Sequence, residues 1–133
     1  LKVLSHGGPS ATTQSGLTEL EARGYHHIYD ERESDTVTLT WPRSIPLEEG
    51  DRGWADMAMI QGRLGELAET PIQLIWAPED AVFPIEYCER LQELLPHAEE
   101  PVIFDRARHF LQDDRGPEIV ATIIPFLDRV RGA

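Results

Sequence analysis

The residues of this chain that could do chemistry sit in two short loops. Asp80 closes the stretch Ile72-Gln73-Leu74-Ile75-Trp76-Ala77-Pro78-Glu79-Asp80, and His109 follows Pro101-Val102-Ile103-Phe104-Asp105-Arg106-Ala107-Arg108. A carboxylate that accepts from an imidazole N–H fixes the tautomer of the ring and leaves the other ring nitrogen free to act as a base. Glu79 is adjacent and equally ionisable, so it is the alternative acid. Plainer readings stand beside these: Asp80 as a turn or cap residue only, and His109 as an ordinary loop histidine.

The elements that would have to bring the pair together are legible. Each loop ends a short apolar run, the signature of a buried strand. Between the runs, Ile85, Cys88, Leu91, Leu94 and Leu95 recur at helical spacing, while Glu86, Glu89, Arg90, Gln92 and Glu93 fall off the stripe. Pro84 suits the first helical turn and Pro96 lies just past the end. A crossover of this length joins parallel neighbours, and it is right-handed in nearly all cases. The spacing thus predicts Ile72–Trp76 and Pro101–Phe104 as adjacent parallel strands, with a helix from about Pro84 to Leu95 between them. The loops after Trp76 and Asp105 then open on the same edge of the sheet, where ligands bind in open α/β structures.

These residues also resemble a known family. Leu74-Ile75-Trp76-Ala77-Pro78-Glu79-Asp80-Ala81-Val82-Phe83-Pro84 and Asp105-Arg106-Ala107-Arg108-His109-Phe110-Leu111-Gln112 are similar to the acid and histidine loops of α/β-hydrolases, in particular haloalkane dehalogenases and their relatives. Leu95-Pro96-His97-Ala98 fits the same pattern. Leu17-Thr18-Glu19, Tyr25 and Trp41-Pro42-Arg43-Ser44-Ile45-Pro46 resemble the end of the cap region of those enzymes. The resemblance covers most of residues 17–130 and is stronger after Ile72. It implies the carboxyl-terminal portion of an α/β-hydrolase: a parallel strand-helix-strand-helix unit over residues 54–133, preceded by a cap-like or irregular segment over residues 1–53. It also implies His109 as the base, Asp80 as its orienting acid and an aspartate nucleophile on a strand-to-helix elbow. That aspartate would displace halide to form an alkyl ester, which water activated by the histidine then cleaves.

No Gly-x-Ser-x-Gly or Gly-x-Asp-x-x-Gly elbow occurs in the chain, and Ser10 and Ser15 lack the strand-then-helix context of one. The expectation is a hydrolase piece, inactive alone, that takes a small-molecule substrate when completed by the missing half, with no cofactor and no metal. The alternative is a non-catalytic remnant or binding module of the same fold. Arg108 stands where the family usually has glycine before the histidine, which could alter the loop or lower the histidine pKa.

Composition bounds these expectations. The chain has 133 residues, 41% of them apolar and 27% charged, ordinary for one globular domain. A formal charge of −12 speaks against nucleic acid and anionic membrane surfaces as partners. No run is apolar enough for a membrane helix, no signal-peptide pattern opens the chain, and Leu1 in place of Met suggests a fragment boundary. A single cysteine, Cys88, excludes an internal disulfide and agrees with a reducing, cytoplasmic setting. Its place on the apolar helix face predicts a buried structural thiol.

Elsewhere the pattern is weaker. His6-Gly7-Gly8-Pro9 occurs in some α/β-hydrolases near the oxyanion hole, but residues 1–16 read better as a loop. Residues 17–25 suit a short helix stopped at Gly24, and His26-His27 with Asp30, Glu31 and Glu33 a solvated polar loop. Thr36 to Trp41 reads as a short extended piece. Trp54 to Ala68 reads as a helix with the stripe Met57, Ile60, Leu64 and Leu67, capped by Asp51. A last helix starts near Pro117, with Pro125 expected to kink or interrupt it. Two strong strands and two helices leave a sheet edge and much apolar surface uncovered, so self-association through that edge is expected. The isolated chain should associate, bind a hydrophobic dye or unfold at modest denaturant. A sharp two-state transition from a stable monomer would count against a fragment.

Overall fold

The apolar runs and the stripe between them form the unit that their spacing predicts. The structure, a computed structural model, describes residues 12–27 and 40–132. Its elements are α1 (Glu19–His27), α2 (Trp54–Gly62), a 3-10 turn (Leu64–Leu67), β1 (Gln73–Trp76), α3 (Ile85–Leu94), β2 (Glu99–Ile103) and α4 (Leu111–Gly132). The His6–Pro9 turn, Ser10, the acidic residues Asp30, Glu31 and Glu33, and most of the extended piece from Thr36 lie outside the described residues.

β1 and β2 pair in parallel, with Ile75 opposite Val102 and Trp76 opposite Ile103. The ladder continues past both ends, since the Glu99 amide donates to Ile72 O at 2.8 Å and the Phe104 amide to Trp76 O at 2.9 Å. The register shifts between Gln73 and Ile75. Pro101 has no N–H to give the ladder, and a local irregularity is the usual accommodation. The Gln73 side chain compensates by donating to Glu100 O at 2.8 Å. α3 and α4 both pack on β1. These helices and the small parallel sheet are compatible with the α/β class.

α1 runs through the expected stop at Gly24. Thr18 and Glu21 form a capping box: the Glu21 amide donates to Thr18 Oγ1 at 3.3 Å, and the Thr18 amide donates to Glu21 Oε2 at 2.7 Å. At the other end Tyr25 lies edge-on to Phe110, 5.9 Å between centroids, and donates its hydroxyl to Asp113 at 2.7 Å. Anchored at both ends, the helix absorbs an interior glycine at a cost of about 1 kcal/mol. His26 and His27 therefore occupy its last turn instead of a loop.

α2 is shorter than its stripe suggests. It ends at Gly62, Arg63 leaves helical geometry (φ −105°, ψ 4°), and the 3-10 turn follows. Gly62 and Gly65 weaken helix continuation there. Asp51 does not cap α2 with its side chain: the carboxylate accepts from the Leu47 and Glu48 amides at 2.8 and 3.1 Å. Gly53, in the left-handed region at φ 93°, occupies the N-cap position. In α4 the break falls at Arg115 (φ −135°, ψ 29°), two residues before Pro117, and the dihedrals stay helical through Pro125. Pro117 removes the amide that would bond to the turn before it, so the chain bends ahead of it. Ala121, whose carbonyl loses its partner at Pro125, is exposed, and solvent can satisfy that oxygen.

Burial is concentrated near the loops. Among the described residues the buried apolar side chains are Ala77, Cys88, Leu95 and Ala107, and the buried polar ones Thr13 and Asp80. Four of the six belong to the carboxyl edge of the sheet or to the segment docked on it. Cys88 is buried as expected, and burial, reinforced by Glu89, pushes its thiol pKa up, away from nucleophilic chemistry. The stripes of α2 and α4 are different: Trp54, Met57, Ile60, Val120, Ile124 and Leu127 all remain exposed. No helix of the described residues is long and apolar enough to cross a membrane.

Candidate active site

β1 ends at Trp76, and the chain turns at once, with the Asp80 amide donating to Ala77 O at 3.2 Å. The Asp80 carboxylate then folds over the next residues. Its Oδ1 accepts from the Val82 amide at 2.8 Å and from the Phe83 amide at 2.9 Å. This is the local turn that aspartate side chains favour. Trp76 Nε1 donates to Phe83 O at 2.9 Å, so the strand end also ties down the far side of the loop. One oxygen of Asp80 is thereby spent on the loop, and the other is left to face outward.

That second oxygen meets His109. Asp80 Oδ2 and His109 Nδ1 are 3.0 Å apart, with the Asp80 side chain 7% exposed and the His109 side chain 27% exposed. The turn reading of Asp80 is thus met by one oxygen, while the other lies within hydrogen-bond distance of the ring. Glu79 is exposed and lines the adjacent cleft, but it forms no hydrogen bond or ion pair with the ring. When Nδ1 donates to the carboxylate, Nε2 carries the lone pair and is the nitrogen able to take a proton.

The histidine loop has its own supports. It turns at Arg106, which adopts a left-handed conformation at φ 58°. Arg115 Nη2 donates to Asp105 O at 2.8 Å. The amides on either side of His109 are both engaged: Arg108 N donates to Asp114 Oδ2 at 3.1 Å, and Phe110 N to Thr12 O at 3.2 Å. The imidazole lies against Phe83 at 5.5 Å and Phe110 at 5.2 Å between centroids. Arg108, in place of the expected glycine, does not displace the loop from Asp80.

A cleft of about 260 Å³ opens beside the pair, lined by Thr12, Glu79, Ala81, Val82, Arg108 and His109. A larger hollow of about 790 Å³ between Thr40 and Asp56 contains neither Asp80 nor His109, so volume is a poor guide to the chemistry here. Ser15 is no nucleophile for His109 in this arrangement, because its hydroxyl donates to Asp114 at 3.0 Å. Sequence reasoning missed Asp114, Phe83 and Phe110 as supports of the ring. Phe83 and Phe110 stand in the two quoted loops, which was the available signal. The docking of residues 12–15 on Asp114 left no local trace.

No protein-family profile matches the chain. It is similar to two curated proteins named cis-3-alkyl-4-alkyloxetan-2-one decarboxylase. The protein from Xanthomonas campestris pv. campestris is 28% identical over 107 residues, which are 80% of this chain and 35% of that protein. The protein from Shewanella oneidensis is 29% identical over 90 residues, 68% of this chain and 28% of that protein. The chain thus spans about a third of the length of the curated relatives it matches.

Proposed function

We propose that this chain supplies the base and the orienting acid of an α/β-hydrolase-type active site, working on a small, weakly polar substrate. The observation that carries this is the 3.0 Å contact between His109 Nδ1 and Asp80 Oδ2 where the two parallel strands end. His109 is the base through Nε2, Asp80 holds its tautomer, and the nucleophile comes from outside the described residues. The exposed stripes and the two-stranded parallel sheet support this, since parallel sheets are normally covered on both faces.

The substrate follows the relatives first. An oxetan-2-one is a strained four-membered lactone, and its decarboxylation breaks one ring C–O and one ring C–C bond to give an alkene and CO2, with no redox cofactor. The second reading is haloalkane hydrolysis through an alkyl ester, which the residues around Asp80 and His109 favour by their resemblance to dehalogenase loops. The two differ in product: alkene and CO2 in one case, alcohol and halide in the other.

The test is a chimera in which this chain replaces the matching part of the Xanthomonas campestris protein. A cis-3,4-dialkyl oxetan-2-one and a primary haloalkane are supplied, and alkene, CO2 and halide are measured. Turnover of either substrate is expected. A folded chimera that processes neither would sink the enzyme reading and leave a non-catalytic binding module.

A further inference from the structure

Asp114 lies in the first turn of α4, just ahead of the break at Arg115. Its carboxylate accepts from the Gln14 amide at 2.8 Å, the Ser15 amide at 3.1 Å, the Ser15 hydroxyl at 3.0 Å and the Arg108 amide at 3.1 Å. One side chain therefore joins a segment about a hundred residues earlier in the chain to the residue immediately before His109. On the other side of His109 the Phe110 amide bonds to Thr12 O, at the start of that same segment. The histidine is bracketed by two backbone anchors, one to Thr12 itself and one to the carboxylate that also holds Gln14 and Ser15.

We propose that Asp114 is a positioning residue for His109: it holds the Arg108 amide and the 12–15 segment in one carboxylate, and so keeps the imidazole in register with Asp80 and forms the Thr12 wall of the cleft. Nothing adjacent can replace it. Asp113 is engaged by the Tyr25 hydroxyl at 2.7 Å. Burial pushes the Asp114 pKa up, but the amides of Gln14, Ser15 and Arg108 and the Ser15 hydroxyl outweigh it, leaving a pKa below the ordinary carboxylate value. The group is thus ionised at neutral pH, the state able to accept from all four donors.

The geometry can be tested without turnover. Long-range proton–nitrogen NMR of the 15N-labelled full chain reports which ring nitrogen of His109 carries the proton, with the signal assigned through His109→Gln. The wild type is expected to show one tautomer, protonated on Nδ1. Asp114→Ala is expected to mix the tautomers and broaden the ring signals, whereas Asp114→Asn, which keeps one acceptor oxygen, should restore most of the wild-type pattern. Asp113→Asn, which loosens Tyr25 and leaves the Asp114 bonds intact, should keep it entirely. A wild-type tautomer in Asp114→Ala overturns the proposal. Where the alanine variant does not fold, Asp114→Ser, whose single short hydroxyl cannot span the four donors, takes its place, and a wild-type tautomer in that folded variant overturns the proposal.

The kinetic consequence rests on the enzyme reading given above. In the active chimera Asp114→Ala should lower kcat by about 10–100-fold with little change in KM, because misplacement of about 1 Å can cost that much. An inactive chimera with tautomers that respond to Asp114 rejects the enzyme reading and keeps the positioning role. An active chimera with an unresponsive ring does the reverse.

Discussion

Replacing His109 with alanine in the completed enzyme is expected to abolish turnover and, with a haloalkane, to leave the alkyl group attached to the protein. In a dehalogenase-type site the first step is attack by a carboxylate that is already ionised, so it needs no base. The second step does: water must lose a proton as it adds to the ester, and in the proposed reading Nε2 of His109 takes it. General-base assistance is worth about 10²–10⁴-fold, so losing it stalls the reaction between the two steps. Intact-protein mass spectrometry after exposure to substrate reads the trapped adduct directly. His109→Gln provides a bulkier control, because alanine also removes the ring that packs against Phe83 and Phe110. Sustained multiple turnover by either variant removes His109 from the mechanism and leaves Asp80 with only its turn to hold.

Asp80 gives a second large effect, and its two oxygens allow the roles to be separated. In Asp80→Asn the amide oxygen can still accept from the Val82 and Phe83 amides, whose need for an acceptor orients the group. The NH2 then faces His109 Nδ1 and donates where an acceptor is required, which favours the opposite tautomer. Loss of about 10⁴-fold in kcat is the scale known for this change in a histidine–aspartate pair. Thermal stability should barely move. Asp80→Ala removes the acceptor from both amides as well; Val82 and Phe83 are exposed, so each lost bond costs about 0.5–1.5 kcal/mol. The alanine variant should therefore melt below the asparagine variant while both are inactive. Glu79→Gln, at an exposed position with no hydrogen bond to the ring, should leave activity within a few-fold of wild type. Full activity in Asp80→Asn, or loss of activity in Glu79→Gln instead, would transfer the acid role to Glu79.

The parts of this structure legible in the sequence are those set by short-range physics. The apolar runs at β1 and β2, the stripe of α3 and the prolines around it specify a parallel strand-helix-strand unit, because a crossover of that length joins parallel neighbours and is right-handed in nearly all cases. That unit carries Asp80 and His109 to the same edge, which is why the pair could be named before any contact was known. Local rules also had competitors they could not anticipate. Gly24 should have ended α1, but a capping box at Thr18 and the docking of Tyr25 on Phe110 and Asp113 outweighed one residue's propensity. Pro117, not Pro125, coincides with the break in α4, and Asp51 was taken by the amides of Leu47 and Glu48 before it could cap α2.

Other features belong to the tertiary structure alone. Periodicity marks the stripes of α2 and α4 as apolar, yet whether they are covered depends on what lies against them, and here they stay exposed. Residue type leaves Glu79 as an alternative to Asp80, and the fold of the loop, with one Asp80 oxygen turned onto the Val82 and Phe83 amides, places the other oxygen beside the ring. Asp114 is the clearest case. Its partners Gln14 and Ser15 are about a hundred residues away, and a contact at that separation has no periodicity, cap or turn signature to announce it. The candidate pair was written in residue types and spacing; its alignment was decided by hydrogen bonds that exist only once distant segments have been brought together.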